Sequence, residues 1–138
     1  MNVIEETKAK LQEHPRAKFE IDSNSISVFP TSDSGFTVGL TVNQDLYTVS
    51  FDGWHENFRN EEEALSCFGF GLSSDCRLKE YRRGTFIYKW VVESKKNGEW
   101  AEDSGTGLLL FPFWGKKEVR YLQNNLIDAK PNADKADI

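Results

Sequence analysis

The run Asp52-Gly53-Trp54-His55-Glu56 sets one of the chain's two histidines beside two carboxylates and a large aromatic ring. A histidine with a carboxylate partner titrates near neutral pH and can pass a proton as a general acid or base. His55 with Asp52 or Glu56 is therefore the catalytic pair that a small enzyme built on this chain would use. The plainer reading has Trp54 and Phe58 pinning a surface loop to the core while His55 and Glu56 face water. Loops carry much function, yet most of their histidines carry none, and the plainer reading is preferred. His14 is plainer still, because it falls in the last turn of an expected helix, where the dipole favours a cation.

Charge along the chain is uneven. The 138 residues include 22 acids and 17 bases, a net charge of −5. Between Asp52 and Asp75 six acids stand against Arg59 alone. Between Cys76 and Lys89 five bases (Arg77, Lys79, Arg82, Arg83 and Lys89) stand against Glu80 alone. Strand alternation would put Arg77, Lys79, Tyr81 and Arg83 on one side, with Arg82 near the turn. Guanidinium forks suit carboxylate and phosphate oxygens. Phe86, Tyr88 and Trp90 follow at period two, and rings beside cations can stack the bases of a single strand. The ordinary alternative is that the rings fill the space under a helix and the bases neutralise the acidic helix beside them. The acidic total disfavours duplex nucleic acid, where neutralised phosphates supply most of the affinity. An anionic small molecule or an acidic protein segment is the expected partner. The candidate binding residues are Trp54, His55, Arg77, Lys79, Arg82 and Arg83.

Other chemistry finds little support. Phe68-Gly69-Phe70-Gly71 and Gly105-Thr106-Gly107 lack the strand–turn–helix setting and the lysine of a phosphate-binding loop. There is no Cys-x-x-Cys pair, and His14 and His55 alone cannot complete a metal site. No Gly-x-Ser-x-Gly elbow occurs. No cofactor and no metal are expected. Cys67 beside a helix's apolar face reads as a small packed thiol, not an activated one. No apolar run reaches the ~18 residues of a membrane span, and the acidic start Met1-Asn2-Val3-Ile4-Glu5-Glu6 does not read as a secretory leader. A cytoplasmic protein with Cys67 and Cys76 reduced is expected.

These residues must be held by a folded core, which a 13% aromatic content supports. Val3, Ile4, Thr7, Leu11 and His14 share one face of a helix expected over 2–14, which Pro15 ends. Strands are expected over 19–22, 25–29, 36–42 and 46–51. The third alternates Phe36, Val38, Leu40 and Val42 against polar positions, and the fourth buries Tyr47, Val49 and Phe51. Asn60 with Glu63 marks the start of a second helix over about 61–71, stopped by its glycines. A hairpin is expected from 76–83 and 85–94, with Phe86, Tyr88, Trp90 and Val92 on one face. Asn97-Gly98 then turns the chain into a strand around 99–102. The apolar run 108–111 reads as a buried strand ended by Pro112. Val119, Leu122 and Leu126 fall at helical spacing, predicting a closing helix over 117–128.

The predicted fold is one α+β domain over 1–128. Its mostly antiparallel sheet has six to seven strands in meander order, with helices packed against it, and a disordered tail follows over 129–138. The leading functional expectation is a non-catalytic binding module using the basic hairpin and the Trp54-His55-Glu56 loop. The alternatives are the His55 enzyme and an obligate homodimer burying Phe70, Phe113 or Trp114.

Overall fold

The computed structural model describes residues 2–84, 86–107 and 117–127, with side chains for all of these except 103–107 and 117. Its order is α1 (Val3–Leu11), β1 (Lys18–Ile21), β2 (Ser25–Phe29), β3 (Val38–Asn43), β4 (Leu46–Phe51), β5 (Trp54–Phe58), α2 (Glu61–Leu72), β6 (Cys76–Arg83), β7 (Phe86–Lys96), β8 (Glu99–Gly107) and β9 (Lys117–Gln123). The class is α+β and the strands pair antiparallel, as expected, but they form two sheets. One is the meander β1-β2-β3-β4-β5, and the other has the order β8-β7-β6-β9.

The first sheet follows its sequence pattern closely. Val38 and Leu40 on β3 pair with Phe51 and Val49 on β4, and all four are fully buried. Such opposed apolar pairs are the unit of sheet stability. Asn2 caps α1 through its Oδ1, which accepts from the Glu5 N–H at 2.9 Å. That helix buries Val3, Ile4, Thr7 and Leu11, leaving half-buried His14 beyond its end. The segment expected to be a loop after Asp52-Gly53 is instead β5, an edge strand that turns back on β4 with Phe51 opposite Trp54. Asp52 takes the left-handed φ of +49° that the tight turn requires.

The second helix begins where the capping pair places it, with Asn60 Oδ1 accepting from the Glu63 N–H at 3.0 Å. It runs to Leu72, past the glycines expected to stop it. Gly71 is inside because of contact, not flexibility. A Cβ there would lie 2.3 Å from the Phe51 ring, so the missing side chain lets α2 lie close on the first sheet. Gly53 serves the same purpose between the sheets. A Cβ on it would lie 2.3 Å from the ring of Trp90 on β7.

Two expectations for the second sheet are corrected. The single sheet becomes two, and the start of the closing helix over 117–128 is strand β9, which pairs with β6 from Arg83↔Lys117 to Arg77↔Gln123. Leu122 points inward and is buried, whereas Val119 is 40% exposed, so the helical spacing of apolar residues was coincidence. The strand exists because of a partner about forty residues earlier, which local periodicity cannot register. The strand expected over 108–111, the tail over 129–138, Phe113 and Trp114 fall outside the described residues.

Beyond β9 the chain ties both layers together through Asn124, which is buried. Its Oδ1 accepts from the Phe36 N–H at 3.1 Å. Its Nδ2 donates to the carbonyls of Phe36 at 3.0 Å and Gly71 at 2.9 Å. The main chain adds Gln123 N–H to Ser34 O at 2.7 Å and Ile127 N–H to Leu72 O at 3.1 Å. Asn124→Ala leaves three buried main-chain groups without that partner. Urea denaturation of this variant is expected to show a loss of about 3 kcal/mol, the usual cost of stranding buried polar groups. A loss within error would show that solvent replaces the amide.

Candidate binding surface

The site candidates divide between the two sheets. Trp54 is buried and stacks on Phe51 with centroids 4.6 Å apart, so it fills the core. His55 and Glu56 are exposed neighbours on β5, and strand alternation sends them to opposite faces. Asp52 sits in the preceding turn, where its Oδ1 accepts from the Thr37 N–H at 2.9 Å. The three residues of the acid–base proposal are near in sequence, but neighbouring His55 and Glu56 do not converge.

The basic hairpin also separates into two faces. Cys76 and Leu78 are buried on the inner side of β6, and so is Glu80. Arg82 lies on that inner side, with its Nη1 4.0 Å from Glu80 Oε1. Arg77, Lys79, Tyr81 and Arg83 alternate to the outer side, as expected. The expected row of Phe86, Tyr88, Trp90 and Val92 is broken by a β-bulge. Tyr81 pairs with Lys89 and Arg82 pairs with Ile87, leaving Tyr88 as the extra residue. Trp90 and Val92 therefore oppose Glu80 and Leu78 on the inner side, while Tyr88 approaches Tyr81 with centroids 6.2 Å apart. No sequence signal marks that bulge.

The outer face holds a row in which rings and cations alternate. The Arg77 guanidinium carbon lies 4.5 Å from the Trp100 ring centroid and 4.2 Å from that of Tyr121. Lys79 Nζ lies 4.9 Å from the Tyr81 ring and 5.8 Å from the Tyr121 ring. Lys89 Nζ lies 5.3 Å from Tyr81 on its other side. Each contact is an attraction between a cation and the negative face of a ring. Arg77 is also tied to Glu93 through its Nε. A hydrogen bond to the Tyr81 side chain, reinforced by the nearby Tyr121 and Glu93, holds the Lys79 ammonium above its ordinary pKa. Lys79 thus stays charged throughout the physiological range.

Trp100 and Tyr121 were not singled out from sequence, because one lay in a weak strand and the other in the expected helix. Tyr121 is 47% exposed and Val119 beside it 40%. Val91 and Tyr88 are buried outside the main core, and form a floor to the same side of the sheet. Register adds Arg83 and Lys95 to this face, with Glu93 and Glu102 as its acids. The face is positive on a chain that is negative as a whole.

Among the described residues no group of His, Cys, Asp and Glu could hold a metal ion. No helix among them is long and apolar enough to cross a membrane. Cys67 is half-buried and Cys76 buried. An open depression lies apart from the basic row, lined by Pro15, Arg16, Lys18, Thr31, Ser32 and Asn125. Comparison with protein-family models, curated proteins and solved structures finds no match.

Asp52 gives this region a measurable pH response. Its surroundings withdraw enough water to raise the carboxyl pKa, against the lowering effects of the Thr37 N–H and Arg120. A carboxyl whose folded pKa exceeds its unfolded value costs the native state stability when ionised. That cost fades as pH falls through the folded pKa toward the unfolded one. Asp52→Asn keeps an acceptor for Thr37 and tolerates the left-handed turn, so its melting temperature should exceed that of the parent at pH 7. The gain is expected to be small, because Asp52 retains contact with solvent, and to vanish below about pH 4. A variant less stable at pH 7 would show that attraction to Arg120 outweighs desolvation.

Proposed function

We propose that this chain is a non-catalytic binding module whose docking surface is the outer face of the β8-β7-β6-β9 sheet, and that its partner is an acidic protein segment. The observation that carries the reading is the ordered row Trp100–Arg77–Tyr121–Lys79–Tyr81–Lys89. Its cations are held by rings, with Glu93 the one carboxylate bonded to them among the described residues. Cations fixed in this way lose little freedom when a carboxylate arrives, which lowers the cost of binding.

Shape favours a segment over a small molecule. Small-molecule sites are concave and enclose most of their ligand, whereas the cations here are strung out in a row across neighbouring strands. An extended acidic chain can turn its carboxylates toward the cations on the face where Val119 and Tyr121 are exposed. Arg82 and Trp54, which point into the protein, have no part in this surface.

The test uses a fluorescein-labelled peptide of about eight residues alternating glutamate and valine, the length of an ordinary strand. Its anisotropy titration should show saturable binding. Arg77→Glu with Lys79→Glu should weaken that binding by about tenfold, which is about 1.4 kcal/mol. Raising salt from about 50 mM to about 500 mM should weaken it too, since exposed charges are screened. Unchanged affinity in a double variant that melts like the parent would remove the reading. Tighter, saturable binding of a thymidine oligonucleotide than of the peptide would replace the protein partner with single-stranded nucleic acid.

A further inference from the structure

We infer that the acidic segment is taken up as an added β-strand along β9, its main chain pairing with Val119 and Tyr121. This inference rests on the binding reading above and specifies how the segment is held.

The direction of the main-chain groups supports it. Along a strand, successive residues aim their N–H and C=O to opposite sides. The Lys95 N–H donates to Asp75 O at 2.9 Å, so the odd-numbered residues at this end of β6 face β7 and the even-numbered ones face β9. Each β9 residue lies opposite a β6 residue, with Leu122 against Leu78 and Arg120 against Glu80. The even-numbered residues of β9 therefore bond to β6, and the odd-numbered ones aim away from the sheet. A second contact agrees independently. The Gln123 N–H does point away from β6, to Ser34 O at 2.7 Å. By the same parity, Tyr121 and Val119 turn their N–H and C=O groups outward. Among the described residues β9 is the last strand of its sheet.

Side chains at this edge match the main chain. Val119 and Tyr121 oppose Tyr81 and Lys79 and are two of the exposed large apolar residues of the molecule. They lie on the same face as the basic row. A strand added beside them, with carboxylates at alternate positions, would turn every carboxylate to the face that carries Arg77 and Lys79 on β6, the strand next to β9. The period of two in the ligand thus matches the period of two in the sheet, the usual basis of recognition by strand addition. Ser34 already occupies the Gln123 N–H, so the receiving stretch ends at Tyr121.

Amide hydrogen exchange on the full chain, read residue by residue with and without the glutamate–valine peptide, tests the inference. Without peptide, the Arg120 and Leu122 amides should exchange slowly and those of Val119 and Tyr121 quickly. Saturating peptide should slow Val119 and Tyr121 by about tenfold or more, the scale of a protecting hydrogen bond, and leave Arg120 and Leu122 unchanged. Peptide N-methylated at alternate amides should lose affinity in one methylation phase only. Binding that depends on Arg77 and Lys79 but does not protect Val119 and Tyr121 would overturn strand addition and keep the docking surface. Absence of peptide binding would overturn both. Protection of these two amides in the free protein would overturn the inference as well. If that protection grew with protein concentration, a second copy of the chain would be the strand that fills the edge.

Discussion

The described architecture depends on one buried side-chain amide meeting three main-chain groups. Asn124 holds the N–H and carbonyl of Phe36, just before β3, and the carbonyl of Gly71, inside α2. Phe36 leads into the strand that carries Val38 and Leu40, and Gly71 is the point where α2 touches Phe51. A single residue after the last described strand thus fixes the distance between the first sheet and its helix. Its fit is tight on the other side too, since a Cβ on Gly35 would lie 2.5 Å from Asn124 Oδ1. Polar groups this deep are worth keeping only when every partner is satisfied, and here the amide has a donor and two acceptors.

That anchoring positions β9, and β9 supplies the Tyr121 ring of the basic surface. Tyr121 forms one wall around Arg77 and stands near Lys79, so these two contacts exist only when β9 is docked on β6. The inner side of the same sheet uses its residues differently. Cys76, Leu78 and Trp90 pack toward α2 and the β4–β5 turn, and Glu80 is buried next to Arg82. Opposite faces of β6 thus carry opposite demands, one for packing and one for display, at a strict alternation of two.

How much of this was legible in the sequence depended on how local each cause is. The alternation around Val38, Leu40, Val49 and Phe51, the Asn60 cap and the Asn97-Gly98 turn are written in neighbouring residues, and they predicted the first sheet's meander and α2. The Asp52-Gly53 pair is itself a hairpin signal, and reading it as one would have found β5. The outer placement of Arg77 and Lys79 also followed from alternation. The bulge at Tyr88, the pairing of β9 with β6 and the sandwiching of Arg77 by Trp100 and Tyr121 arise from partners far along the chain. Those contacts left no local pattern. Arg82 and Arg83 looked equivalent in composition, yet their parity sends the first toward Glu80 and the second to the opposite face.

The contact between Gln123 and Ser34 bears on self-association. An unpaired edge with exposed apolar side chains invites copy after copy to stack into a fibre. Fibre-forming segments need about six or seven uninterrupted residues. The loop that carries Ser34 caps the line of outward donors at Gln123, so only a shorter stretch of β9 could serve as a template. A strand can be admitted there while open-ended growth is checked by the protein's own loop.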